Sequence, residues 1–237
     1  MPSDFDTFVF DAYGTLFDVY SVRVAADRIY PGRGEALAKL WRDKQVEYTR
    51  LISLADPSGA HGSRHYMTFW EITERALDFS LRALGLDASR KNQSELMAQY
   101  ERLSAFPEVL PVITKLHKAG HQLFILSNGN QAMLEKAVTS AELSGLFHRV
   151  IGVDTLRQFK IMPAVYDLIF QANQVPRERV LFISSNGWDV LGANWYGLNT
   201  FWVNRQGLPF ESLGPSPRFE GKDLNGLLTL PNKNDLA

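Results

Sequence analysis

Short apolar runs and longer amphipathic stretches take turns along most of this chain. Five runs, "TFVF" at 7–10, "LFIL" at 123–126, "RVIGV" at 149–153, "VLFI" at 180–183 and "TFWV" at 200–203, are too short for helices and do not alternate polar with apolar. Strands covered on both faces read this way, as those of parallel sheets do. Between the later runs the period lengthens to that of a helix, in "QAMLEKAVTSAEL", "MPAVYDLIFQAN" and "DVLGANWYG". Strand–helix–strand alternation predicts an α/β fold with a doubly wound parallel sheet.

One region breaks the rhythm. From about Ser21 to Arg102 there is only helical periodicity, as in "EALAKLWRDKQVEYTRLISL" and "MTFWEITERALDFSLRALGL". The expected organisation is a Rossmann-like core, residues 1–18 and 103–237, carrying an inserted α-helical cap domain over 19–102. The Gly-, Pro- and Ser-rich stretch "ADPSGAHGSRH" (55–65) reads as a loop joining two helices of the insert. No internal repeat or low-complexity segment stands out, and the tail "PNKNDLA" is expected to fray.

Composition narrows the partners. With 45% hydrophobic and 22% charged residues, the 237-residue chain is expected to pack a core rather than stay disordered. A net charge of −1 without a long basic run argues against nucleic acid and anionic membrane surfaces. No apolar stretch approaches the roughly 20 residues of a membrane span. "MPSDFDTF" lacks the charged and apolar regions of a signal peptide. Without cysteine there is neither a disulfide framework nor a thiolate metal site. A soluble cytoplasmic protein is expected.

Ligands of open α/β sheets bind outside the carboxyl ends of the strands. Directly after the strands of this chain come "DAYGT" (11–15), "SNG" (127–129), "DTLRQFK" (154–160) and "SSNGWD" (184–189). Four strand ends thus send an acid, small hydroxyls, amides, a lysine and a second acid to one edge. Singly, several of these have plainer readings: "SNG" is a common turn, Asp189 a helix cap, and Arg42 and Lys160 ordinary surface charges. Asp11 resists such a reading, because a carboxylate directly after a buried strand needs partners to offset desolvation. Lys160 arrives as counter-charge; at ~4 Å and an effective dielectric of about 20 the pair gains roughly 4 kcal/mol before desolvation. An ionised, partly dehydrated carboxylate is a competent nucleophile.

"DAYGTLFDV", "YPGRGEALAKLWRDKQVEYT", "ILSNG", Lys160 with Tyr166, and "LFISSNGWD" together resemble the L-2-haloacid dehalogenases of the haloacid dehalogenase superfamily. The similarity runs across nearly the whole chain, with "WRDKQVEYT" and "SSNGWD" the more specific parts. The resemblance implies that Asp11 is the nucleophile and Thr15 its supporting threonine. It places the substrate carboxylate on the backbone of Ala12 and Tyr13 with Ser127 and Asn128. Arg42 receives the halide in a cradle completed by Asn128 and Trp188. Lys160, Tyr166, Ser184, Asn186 and Asp189 hold the nucleophile and prepare hydrolysis. A homodimer formed through the cap helices is also implied, and no organic cofactor is expected. Nor is a metal: the resembled phosphatases hold magnesium with acids that include one four residues before the position of Asp189, where this chain has Ser185, and Lys160 brings a positive charge to the same place. Two departures stand out. The family's proline after the lysine is displaced to Pro163 in "KIMPAVY", although Tyr166 keeps its spacing. The 55–65 loop is long and is expected near the cap entrance.

Tyr13 separates this chain from the phosphoryl-transferring members, whose Asp-x-Asp-x-Thr loop resembles "DAYGT" but carries a second aspartate that protonates the leaving alcohol. A phenol with an ordinary pKa of about 10 is a poor acid at neutral pH, and losing a positioned general acid typically costs about 10²–10⁴-fold. A halide departs without a proton and needs only a cationic receptacle. The expected reaction is two-step hydrolysis of a short 2-haloalkanoate through an Asp11 ester. Activation of the water is expected from Asp189 or through the Lys160 network. The rivals are a phosphatase of the same superfamily and a non-catalytic binding protein of the same fold.

Overall fold

The computed structural model describes residues 5–57, 61–171 and 175–230; the tail expected to fray lies outside them. Strand β1 (Thr7–Phe10) is buried at every position. It is flanked on one side by β2 (Gln122–Ser127) and then β3 (Arg149–Gly152). On its other side lie β4 (Val180–Ser184), β5 (Asn199–Val203) and β6 (Phe219–Gly221). The order β3-β2-β1-β4-β5-β6, with every pair parallel, is that of a doubly wound sheet. Phe10 sits opposite both Ile125 and Ile183, so β1, β2 and β4 end at nearly one level. The residues just beyond them emerge side by side, at the point where the strand order reverses.

The helices of the sheet domain are α5 (Val109–Lys118), α6 (Gln131–Ser140), α7 (Pro163–Asp167) and α8 (Gly187–Tyr196). Between β1 and α5 the chain forms α1 (Val22–Ile29), α2 (Gly34–Ala55), α3 (Phe69–Ala83) and α4 (Arg90–Tyr100). α3 opens with a capping box, Thr68 and Glu71 each accepting from the other's backbone N–H. The insert buries polar groups only in pairs. Trp41 Nε1 donates to the Thr73 carbonyl at 2.8 Å and Gln45 Nε2 to the Thr73 hydroxyl at 2.7 Å. The Tyr100 hydroxyl donates to Gln45 Oε1 at 3.2 Å. These contacts fix the rotation of α2, and with it the face that carries Arg42.

The insert is stitched to the sheet domain near Lys160. Tyr66 donates to Asp154 Oδ1 at 2.8 Å, the Phe159 amide to Ser53 Oγ at 2.9 Å, and Gln158 Nε2 to the Pro57 carbonyl at 3.0 Å. The Ser63 amide donates to the Arg157 carbonyl at 3.0 Å. The described part of the 55–65 loop therefore braces the segment leading into Lys160.

Some elements differ from expectation. Of the helix read over 162–173, the described residues are α-helical only from Pro163 to Asp167. Beyond it the amides of Leu168, Ile169 and Phe170 bond three residues back, a tighter winding. α6 stops at Ser140, with Glu142 in the left-handed region at φ 58°. β6 carries no apolar run, and nothing in "FEG" marks it as a strand.

Candidate active site

Asp11 comes directly after β1 and is 5% exposed. The loop "DAYGT" then turns sharply at Gly14, whose φ of 94° excludes most side chains. This turn brings Thr15 back onto the carboxylate, where its hydroxyl donates to Asp11 Oδ2 at 2.8 Å while accepting from the Ser185 amide at 2.8 Å. Asn186 Nδ2 donates to the same Oδ2 at 2.9 Å. Lys160 Nζ donates to Asp11 Oδ1 at 3.0 Å and to Asp189 Oδ2 at 2.8 Å. Tyr166 completes the chain by donating to Asp189 Oδ1 at 2.8 Å. The displaced Pro163 leaves this arrangement in place, with α7 presenting Tyr166 to the Asp189 carboxylate.

Lys160, Asp189 and Tyr166 are almost wholly enclosed, so their charges act in a poorly screened environment. Burial pulls the Lys160 ammonium down, but Asp11 and Asp189 outweigh it and hold it above its usual 10.5. Burial raises the Asp189 carboxyl above its ordinary range, against the pull of Lys160. Tyr13 is pushed well above 10 by burial first, with Tyr100 and Asp11 adding to it against Arg42. A phenol so held is neutral and no proton donor for a leaving group. Its ring, stacked on Tyr100 at 5.7 Å between centroids, serves as a wall.

Opposite the nucleophile a cavity with room for about one water is lined by Asp11, Tyr13, Arg42, Val46, Thr49, Phe69, Ser127, Asn128 and Trp188. Arg42 makes long bonds to neutral oxygens, the Tyr13 carbonyl at 3.2 Å and Asn186 Oδ1 at 3.3 Å, and its guanidinium also reaches the Tyr100 hydroxyl. Among the described residues it forms no ion pair. Its charge is therefore available to an anion. Asn128 Oδ1 accepts from the Lys160 amide at 2.8 Å, which turns the side-chain amide nitrogen away from that segment. Ser127 and Ser184 each hold a turn, accepting from the amides of Gly129 at 3.0 Å and Asn186 at 3.1 Å. Ala12 is fully buried, and its carbonyl accepts from Thr15, Leu16 and Phe17.

All thirteen side chains and backbone positions singled out in the sequence thus fall at one sheet edge or on the α2 face above it. The described part of the 55–65 loop does not line this cavity. Val46, Thr49 and Phe69 do line it and were not anticipated. Val46 and Thr49 lie one and two turns beyond Arg42 on the same stripe of α2, which is the signal that marks them. Among the described residues, no group of three His, Cys, Asp or Glu side chains could hold a metal ion.

A family model for haloacid dehalogenase-like hydrolases matches residues 5–197. An (S)-2-haloacid dehalogenase from Pseudomonas sp. strain YL is 41% identical over 221 residues, covering 93% of this chain and 92% of that protein. A crystal structure of an L-2-haloacid dehalogenase is 50% identical and superimposes with a TM-score of 0.91 over 96% of this chain and 98% of its own. The L-2-haloacid dehalogenase from Xanthobacter autotrophicus with chloropropionic acid covalently bound is 35% identical, with a TM-score of 0.85 over 95% and 98% of the two chains. The nucleophile loop without a second acid, the shared lysine and the unpaired Arg42 agree with these likenesses: the chain belongs to the haloacid dehalogenase-like hydrolases, in the family of the (S)-2-haloacid dehalogenases.

Proposed function

We propose that this protein hydrolyses short (S)-2-haloacids to (R)-2-hydroxy acids. The observation that carries the reading is the placing of a hydrogen-bonded Asp11 opposite an arginine that no carboxylate among the described residues neutralises, where Tyr13 replaces an acid. An Asp11 oxygen attacks C2 from the face opposite the halogen. The carbon–halogen bond breaks with its electrons, and the halide is received by Arg42, Asn128 and the Trp188 ring. The substrate carboxylate lies on the backbone amides of Ala12 and Tyr13 with Ser127 and Asn128. Water then attacks the Asp11 carboxyl carbon, so the ester oxygen leaves as the product hydroxyl. The proton lost by that water passes into the Asp189–Lys160 network, whose carboxylate burial has made more basic.

We place the insert, residues 19–102, as a cap over this site and the protein as a cytoplasmic homodimer joined through cap helices. Exposed Leu51, Leu54 and Phe79 on α2 and α3 support the dimer. The absence of cysteine suits a reducing compartment.

The test is halide release from each enantiomer of 2-chloropropionate, beside p-nitrophenyl phosphate. Consumption of the L enantiomer with D-lactate as product is expected. In a single turnover in heavy-oxygen water the label should enter Asp11 and not the lactate. Label in the lactate would mean that water attacks C2, and phosphate release without halide release would return the protein to the phosphatases.

A further inference from the structure

Arg42 does not stand alone on its helix. Arg42, Val46 and Arg50 succeed one another at four-residue spacing and share one stripe of α2. Arg42, Val46 and Trp188 form the wall between the small cavity around Asp11 and an open groove outside it, since they line both. The groove is completed by Tyr20, Asp43, Glu47, Arg50, Leu51, Asn186 and Glu211. Arg50 lies with its guanidinium 5.1 Å from the centroid of the Trp188 ring, packed on the outer face of that wall. No ion pair within 4 Å engages it among the described residues, so its donors stay free. A cavity with room for about one water cannot hold a haloacid until a wall moves. Trp188 is half-buried, and the guanidinium lying on it is a soft planar contact that can slide without leaving a charge unpaired.

We propose that Arg50 is the outer anion-binding residue of the site, a specificity and access residue. It captures the haloacid carboxylate in the groove, passes it beside Trp188 toward Arg42, and receives the departing halide on the way out. This extends the dehalogenase reading and rests on it. Both ligands are monoanions, and the chain as a whole carries a net charge of −1 and gives them no general attraction. Two guanidiniums in file supply a local one, since the groove acids Asp43 and Glu47 are taken up by Lys39 and Lys44 at 2.7 and 2.8 Å. Glu211, in the same groove and within electrostatic reach of Arg50, sets the limit of this attraction: a ligand without negative charge gains nothing from this route.

The experiment compares Arg50→Gln, Arg50→Lys and wild type by kcat/KM for L-2-chloropropionate across ionic strength, with single-turnover ester formation at saturating substrate. Arg50→Gln should lower kcat/KM at low salt by about 3–10-fold and flatten its salt dependence. Ester formation at saturation should hold near the wild-type rate, because Arg50 does not reach the reacting atoms. Arg50→Lys should restore most of the salt slope. Equal kcat/KM and equal salt slopes in Arg50→Gln and wild type would reduce Arg50 to a surface charge. A loss confined to ester formation, unchanged by salt and not rescued by lysine, would make it a packing residue. If wild type itself released no halide, the dehalogenase reading would fall and the relay with it, an outcome visible without any variant.

Discussion

Two carboxylates, Asp11 and Asp189, share the one ammonium of Lys160, and most of the chemistry stems from that ratio. Each acid alone would meet a steep desolvation cost at its depth; together with the lysine they form a buried trio with one net negative charge. The sequence supports the Lys160–Asp11 pairing directly, because both arrive at one sheet edge. It does not disclose that Lys160 also bridges to Asp189, since this depends on where α8 aims its first turn. Lys160 is held above 10.5 by the two acids despite its burial, whereas an unfolded lysine titrates near 10.4. The stability that the ammonium contributes is therefore complete below that value and disappears as pH rises through the higher folded one. Tyr13 and Tyr166 are pushed up as well, chiefly by burial. Halide release should accordingly show no loss from these three groups between pH 7 and 10. An alkaline limb centred near pH 8, absent in Lys160→Met, would assign the lysine a depressed pKa instead. Lys160→Met should also cost roughly 3–5 kcal/mol in urea unfolding at pH 7, because it strands two buried acids.

At the scale of elements, legibility tracked burial. β1, β2, β4 and β5 were visible because burial at nearly every position writes an apolar run, as in "TFVF", and β3 was visible from "RVIGV" although it is only partly buried at one edge of the sheet. β6 was not: like β3 it lies at a sheet edge, but its three residues "FEG" hold no apolar run. The insert was legible as helices because α2 and α3 keep their period over many turns. How α2 is rotated was not legible, since Trp41 and Gln45 fix it through bonds to Thr73, a residue far along the chain. That rotation sends Arg42 inward and leaves Leu51 and Leu54 outward, 54% and 69% exposed. Two outward leucines on an otherwise amphipathic helix, with Phe79 of α3 also exposed, are the apolar side chains on which the proposed homodimer rests. Sedimentation velocity should give twice the chain mass of 26.8 kDa. Leu54→Glu should shift the population toward monomer while leaving the far-ultraviolet dichroism unchanged. A wild-type protein that sediments as a monomer at micromolar concentration would remove the dimer.

At the scale of the whole molecule the question is whether a magnesium ion accompanies the nucleophile. A doubly wound sheet with its site at the switch point prescribes neither; the strand-end residues decide. Four positions before Asp189, where the resemblance leads one to expect an acid in the phosphatases, this chain has Ser185. Its hydroxyl donates to the Gly14 carbonyl at 2.6 Å and its amide to Thr15. Ser185 therefore braces the nucleophile loop and brings no charge. Lys160 Nζ, 3.0 Å from Asp11 and 2.8 Å from Asp189, already stands as the cation between these two acids. A magnesium ion would have to displace it or add a second positive charge beside it. Magnesium sheds its water reluctantly and is usually held by one or two carboxylates with substrate phosphates, which a haloacid does not offer. A carboxylate bound to a dication would also be a weaker nucleophile toward carbon than one steadied by Thr15, Asn186 and Lys160. Dehalogenation should therefore proceed at the full rate after exhaustive EDTA treatment and should not rise when magnesium is restored. Activity lost in EDTA and recovered with magnesium would mean that Lys160 yields its place to the ion, and the phosphatase reading would regain the site.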